Sequence, residues 1–413
     1  MNRRHFLTGT LTAPALRRAA RGAGTRIERI TLAPIEGRFH KFVAMNSYDE
    51  APKGHTYTNT LVRVATNQGV EGIGVMSYAA PDAAYVAALR MLVGANPADL
   101  YEMRDGRAAA PTSRHSKVLG KYPHLDGPLF DLIGKLTDRP VWKLLGDPVK
   151  RRVDAYDGTL YFSDLWFQDR GVRAVAEEAE EACRKGYRGV KLKAGRGRKW
   201  MDKAAGLRRD IAVIRAVREA VGPEVRIMVD PNNGYRDDFE GAWRLLEQTA
   251  EENLHFIEEP FPEDAAQYTE LRKRMRRAGM KTMIADGENL TRAVEFEPFL
   301  KPNRLVDVMQ LDIRTSGLLG NLEAARLGRP AGAACIPHNW GSQVGLFMAL
   351  HLAKAVENVP MVEDDRSTHD VIRGAGYEFR DGMYTVPDSP GLSLKVDEDV
   401  YERKCKPRET VVS

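Results

Sequence analysis

Cysteine is scarce. Cys183, Cys335 and Cys405 are the whole complement of a 413-residue chain, too far apart for a metal-binding spacing or an even-numbered disulfide framework. Also missing is any run of about eighteen apolar residues, so no segment reads as a membrane-spanning helix. The formal charge is +5, yet no finger, basic-zipper or aromatic-plus-basic pattern accompanies it. Arginine-rich stretches such as "LRKRMRRAG" (271–279) read as solvated helix faces, and a nucleic-acid partner is not expected. With 43% apolar and 29% charged residues, disordered and collagen-like classes are excluded. The start is less plain: "MNRRHFLTGTLTAPAL" resembles a twin-arginine export signal. Pro14 interrupts its apolar run, and "RRAARGAG" stands where a small-residue cleavage site belongs. Periplasmic export and a cytoplasmic location both stay open, with residues 1–25 a signal or a tail.

What is present is a change of pattern along the chain. From Arg26 to about Met76 the sequence reads as strands, with Asn67-Gln68-Gly69 as a turn. A helical stretch follows, including "HLDGPLFDLIGKLTDRPVWKLLGD" (124–147). After Arg152, seven short β-rich runs alternate with amphipathic segments: "VDAY", "RGVKLK", "RIMVD", "HFIEE", "KTMIADGE", "VDVMQLD" and "ACIPH". This is the rhythm of an α/β protein, a parallel (β/α) barrel rather than a doubly wound sheet. The expected division is a cap over 26–150, a barrel over 151–380, and a segment 381–413 returning to the cap.

Ionisable residues close these runs: Lys193, Asp230, Glu258, Glu288, Asp312 and His338. In a barrel, strand ends converge on one mouth. Three acids meeting there repel one another unless a cation holds them, and a hard divalent ion, Mg²⁺, suits oxygen ligands. In "IEE" only one glutamate can face inward; Glu258 is chosen, with Ile257 turned to the helices. Lys191 and Lys193 share a strand face and Leu192 points away. Burial beside a cation is expected to lower a lysine pKa, making a base. His338 follows the "ACIP" strand run, and Asp312 closes the strand before it and is placed to fix the imidazole tautomer. The chemistry this set suits is removal of a proton beside a carboxylate through an enediolate, a use of Lys or His with Mg²⁺ known for enolase-type sites.

These residues resemble the enolase superfamily in its mandelate racemase-like subgroup, the mandelate racemase/muconate lactonizing enzyme-like proteins. The motifs are "KLK" (191–193), "VDPN" (229–232), "IEEP" (257–260), "GEN" (287–289), "DVMQLD" (307–312) and "PHNWGS" (337–342). The resemblance implies a modified TIM barrel, (β/α)₇β, with an α+β capping domain. It implies Mg²⁺ held by Asp230, Glu258 and Glu288, Lys193 as one acid/base catalyst, and His338 with Asp312 as the other. Lys191 is implied to polarise the substrate carboxylate, and Glu363 to hydrogen-bond it, with Asp364 as its rival. His55, Tyr57 and Asn232 are candidate substrate contacts, and the polar cap loop 37–59 favours a hydroxylated substrate over an aromatic one. The implied reaction is dehydration of an acid sugar, a small-molecule carboxylate, to a 2-keto-3-deoxy acid. Racemisation or epimerisation with the same residues is the alternative; a Schiff-base aldolase using Lys193 and a non-catalytic sugar-acid binder are more distant ones. The family also implies a homo-oligomer.

Overall fold

The computed structural model describes residues 24–77 and 81–413; the twin-arginine segment lies outside them. Among the described residues no helix is long and apolar enough to cross a membrane. The chain opens on an antiparallel meander of β1 (Ile27–Val43), β2 (Gly54–Thr66) and β3 (Glu71–Ser77). Gly69 makes its turn at φ +74°, a left-handed conformation costly for other residues. Helix Asp126–Leu136 lies directly on β3, because Gly72 and Gly74 leave room for it. A Cβ at Gly72 would stand 2.1 Å from the Pro128 carbonyl oxygen. A small hairpin, β4 (Tyr101–Arg104) with β5 (Arg107–Pro111), completes this part.

Eight parallel strands then form a ring: β6 (Arg152–Leu160), β7 (Gly189–Lys193), β8 (Arg226–Asp230), β9 (Phe256–Glu258), β10 (Met283–Asp286), β11 (Val308–Met309), β12 (Ala334–Cys335) and β13 (Met361–Asp364). Pairing runs without a break from β12 back to β6, and β13 pairs with β6. Between β12 and β13 there is no ladder, only the Cys335 N–H donating to the Asn358 carbonyl at 2.8 Å. The seven β-rich runs of the sequence are the first seven strands. After Asp364 the chain pairs with β1 through β14 (Thr368–His369), and Thr410–Val412 adds to β1 from the other end.

Strand alternation sorts the barrel side chains into layers. Tyr156, Met228, Phe256, Ala285, Val308, Ile336 and Met361 point inward and form their own apolar plug. Val190, Leu192, Val229, Ile257, Ile284 and Met309 point outward to the helices, as expected for Leu192 and Ile257. Two residues further along five of these strands, on the plug side, come Asp230, Glu258, Gln310, His338 and Glu363, with Gly158 and Gly287 at the other two positions. The polar mouth therefore sits on an apolar floor, which shuts off water from below.

A buried latch ties barrel to cap. His351, on helix Gln343–Ala355, accepts a hydrogen bond at Nδ1 from the Trp142 N–H at 3.1 Å. Its Nε2 lies 2.9 Å from the Tyr377 hydroxyl, which donates onward to the Leu392 carbonyl. That chain requires a neutral ring protonated at Nε2. Burial, helped by the Lys354 charge, pushes the His351 pKa down to about 3. The folded value is below the unfolded one, so this contribution to stability is complete above about pH 6.5 and is lost as pH falls toward 3. The unfolding midpoint of the His351→Asn variant should accordingly fall less steeply than that of the parent between about pH 6.5 and 4, as read by thermal denaturation; parallel slopes would contradict the latch.

Candidate active site

The two lysines of "GVKLK" stand at different depths. Lys191 is 1% exposed, and its Nζ lies 2.7 Å from Glu363, 2.9 Å from Glu258 and 3.4 Å from Asp230. Lys193, two residues nearer the mouth, pairs with Asp230 and lies over the Tyr161 ring at 5.4 Å. Burial alone would lower both pKa values, but the carboxylates reverse this. Glu258 and Glu363 raise Lys191 well above its ordinary value, and Asp230 raises Lys193. Ion pairing outweighs desolvation where each ammonium touches an acid, whereas the expected lowering belongs to a lysine beside a bound cation.

The acids feel the converse. Burial, then the neighbouring Asp230 charge, pushes Glu258 up to about 7, while Lys193 and Lys191 overcome burial to hold Asp230 below its usual value. Gln310, which the sequence reading passed over, is fully buried in the same layer and donates to Glu258 Oε2 at 2.9 Å. Glu288 lies past the end of β10, with Oε2 3.1 Å from His338 Nε2 but not aligned for a hydrogen bond. Asp286 before it turns outward to the Tyr268 hydroxyl.

Among the described residues no three acids, histidines or cysteines already stand in metal-holding geometry. The donor chemistry nonetheless fits a hard cation. Asp230, Glu258 and Glu288 are oxygen donors from neighbouring strand ends, the charges of Asp230 and Glu288 both act against ionisation of Glu258, and a buried Glu288 oxygen lacks a hydrogen-bond donor.

Across the ring stand His338 and Asp312, with Nδ1 3.1 Å from Asp312 Oδ2. Burial would lower the imidazole pKa, but the Glu288 charge and the Asp312 hydrogen bond raise it to about 9. Asp312 caps helix Ile313–Gly328 through the Arg314 N–H at 2.7 Å. β7 and β11 are four strands apart in the ring of eight, so Lys193 and the dyad face each other.

Alternation separates Glu363 from Asp364. Glu363 points inward to Lys191 and accepts the Asn339 N–H at 3.1 Å. Gly158 makes room for it, since a Cβ there would lie 2.6 Å from Glu363 Oε1. Asp364 points outward and accepts from the Tyr187 and Tyr384 hydroxyls at 2.6 and 2.7 Å.

The three candidate substrate contacts have partners within the protein. His55 is exposed at the rim, edge-on to Phe42. Tyr57 packs on Phe39 and His369. Asn232 donates to Glu259 at 2.7 Å. Glu259 is a second buried acid, at φ +30°, also receiving Asn233, Asn289 and the Tyr48 hydroxyl. The cap loop meets the barrel both through an apolar collar, where Phe39, Val43 and Met45 pack on Tyr161 and Phe162 of the barrel, and through polar contacts, the buried Ser47 hydroxyl lying 2.7 and 2.6 Å from the Pro231 and Asn232 carbonyls. Replacing Glu363 by Gln should lower turnover by about 10²-fold. Replacing Asp364 by Asn should instead lower the unfolding midpoint, by about 1–3 kcal/mol of stability, with turnover near that of the parent; equal effects on both readouts would contradict the inward and outward assignment.

Comparison with known proteins agrees with this geometry. The Enolase C-terminal domain-like family matches residues 174–400. The arabinonate dehydratase of Saccharolobus solfataricus is 28% identical over 364 residues, spanning 85% of this chain and 92% of that one. The crystal structure of a galacturonate dehydratase from Geobacillus sp., complexed with D-galacturonate and 5-keto-4-deoxy-D-galacturonate, superposes with a TM-score of 0.82 at 27% identity, covering 95% of this chain and 100% of that one. A mandelate racemase/muconate lactonizing protein from Geobacillus sp. Y412MC10, complexed with magnesium and tartrate, gives 0.80 at 29% identity, covering 92% and 95%. With its parallel barrel, antiparallel cap and acid-rich mouth, this chain belongs to the Enolase C-terminal domain-like family, among the mandelate racemase-like members of the enolase superfamily.

Proposed function

We propose that the protein is a hydro-lyase that dehydrates an acid sugar, an aldonate or aldarate, to a 2-keto-3-deoxy acid with the help of Mg²⁺. The observation that carries this reading is the placement of two opposed proton-handling groups, Lys193 and the His338–Asp312 dyad, across one carboxylate-lined mouth. The dehydratases of similar sequence and fold support the choice of reaction, and the magnesium in a related structure supports the ion.

Asp230, Glu258 and Glu288 would hold the ion, which when bound supplies positive charge to the substrate carboxylate. With Asp230 engaged by the ion, the pair that holds the Lys193 proton would be relieved, and Lys193 as the free amine takes the proton from the carbon beside that carboxylate. Lys191, fixed below by Glu258 and Glu363, adds positive charge under the carboxylate as its oxygens become electron-rich. His338 delivers a proton to the hydroxyl leaving the adjacent carbon, so water departs and an enol remains, which becomes the 2-keto-3-deoxy acid on protonation. Asp312 holds the imidazole with Nδ1 toward itself and Nε2 toward the mouth. The apolar collar from the cap and the plug beneath keep bulk water from the enediolate.

Incubating the protein with a library of acid sugars in D₂O with Mg²⁺, followed by proton NMR, tests this. A new methylene beside a keto carbon is expected, abolished by EDTA and restored by Mg²⁺. Deuterium entering the α-position with no methylene would establish racemisation or epimerisation instead. Trapping by borohydride in EDTA would point to a Schiff base on Lys193, and binding without exchange to a non-catalytic binder.

A further inference from the structure

Asp312 is held by more than His338. Arg314, two residues on and 2% exposed in its side chain, wraps back so that Nε donates to Asp312 Oδ1 at 2.9 Å and to Oδ2 at 3.1 Å, while Nη2 also donates to Oδ2. With the Arg314 N–H on Oδ1 and His338 Nδ1 on Oδ2, both carboxylate oxygens are engaged. A planar guanidinium laid along a carboxylate leaves it no freedom to rotate. The remaining Nη1 donates to the Trp340 carbonyl, in the loop that carries His338. The Trp340 ring in turn packs on Phe39 of the cap at 5.3 Å between centroids and receives Lys53 at 4.6 Å. One side chain therefore joins the carboxylate that orients the imidazole, the loop that carries it, and the cap that closes over it.

We infer that Arg314 is a positioning residue for the His338–Asp312 dyad, setting the plane of Asp312 and the approach of the His338 loop so that Nε2 meets the departing hydroxyl. The inference rests on the dehydratase reading for its kinetic consequence, and its structural consequence is measurable without substrate. Lysine cannot replace arginine here. Its single ammonium cannot lie along both oxygens and reach the Trp340 carbonyl at once. A misplacement of about 1 Å at a proton-transfer group is worth roughly 10²-fold in rate, so the cost should fall on kcat. Arg314 also lines a cleft of about 540 Å³ between cap and barrel, beside Lys121, His124 and Arg292.

The test uses the full-length chain with Arg314→Lys and Arg314→Ala. In substrate-free protein labelled at histidine nitrogen, the His338 Nδ1–H resonance, assigned with His338→Asn, should shift in both variants. In turnover, kcat should fall by about 10²-fold with KM little changed, exchange of the α-proton through Lys193 should persist, and added guanidinium should restore part of kcat in Arg314→Ala. Should Arg314→Ala fail to fold, Arg314→Lys carries both readouts. An unmoved His338 resonance, parent-like kcat in Arg314→Lys, or equal loss of dehydration and α-proton exchange would overturn the role of Arg314. Absence of α-proton chemistry in the parent would count against the dehydratase reading alone, with the resonance still deciding the position of the dyad.

Discussion

Crowding of like charge at one end of a barrel is the constraint on which the rest of the structure depends. Asp230, Glu258 and Glu363 are buried where strand ends meet, with Glu288 half-buried beside them, and burial denies the three water to spread their charge. The chain answers with Lys191 inside the acid layer and Lys193 at its edge. Two buried ammonium groups would be costly alone, at several kcal/mol each. Among four acids they become the compensation, which is why their pKa values rise rather than fall. A divalent ion entering this layer would take over part of that task and release Lys193 from Asp230 toward the substrate.

The layering below explains how such a site is tolerated. Phe256, Met228, Met361 and their neighbours form a dry plug one strand period under the acids, so the barrel keeps a packed core while its last inward position is given to chemistry. Around the rim, backbone strain gathers where the loops must turn sharply. Asn232, Asn233 and Glu259 all have positive φ, and their side chains meet in one buried cluster that also seats Tyr48 of the cap. Such strain persists where surrounding contacts over-determine it, and here it lies directly past the ends of β8 and β9.

Much of this was legible in the sequence because strand alternation is strict. The period of two put Lys191 and Lys193 on one face, turned Leu192 and Ile257 to the helices, and set Glu258 inward, since each position follows from its neighbour. What escaped were contacts made across sequence distance or by local back-folding. Arg314 reads as an ordinary helix residue until its side chain is seen to curl onto Asp312, and Gln310 carries no charge to draw notice although it is fully buried beside Glu258. The cap loop is hard to read for another reason. Polar composition does not say which side chain turns inward: Phe39, Val43 and Met45 join the apolar collar, Ser47 and Tyr48 reach polar groups of the barrel, and His55 stays exposed.

The central claim is that the acid layer is a cation site whose charge the lysines share. Titrating the protein with Mn²⁺ as a magnetic stand-in for Mg²⁺, and following free Mn²⁺ by electron paramagnetic resonance, tests it most directly. The account predicts one site per chain, displaced by Mg²⁺ and lost in Glu258→Gln and Asp230→Asn. Equal Mn²⁺ binding by the parent and both variants, or none by the parent, would contradict it.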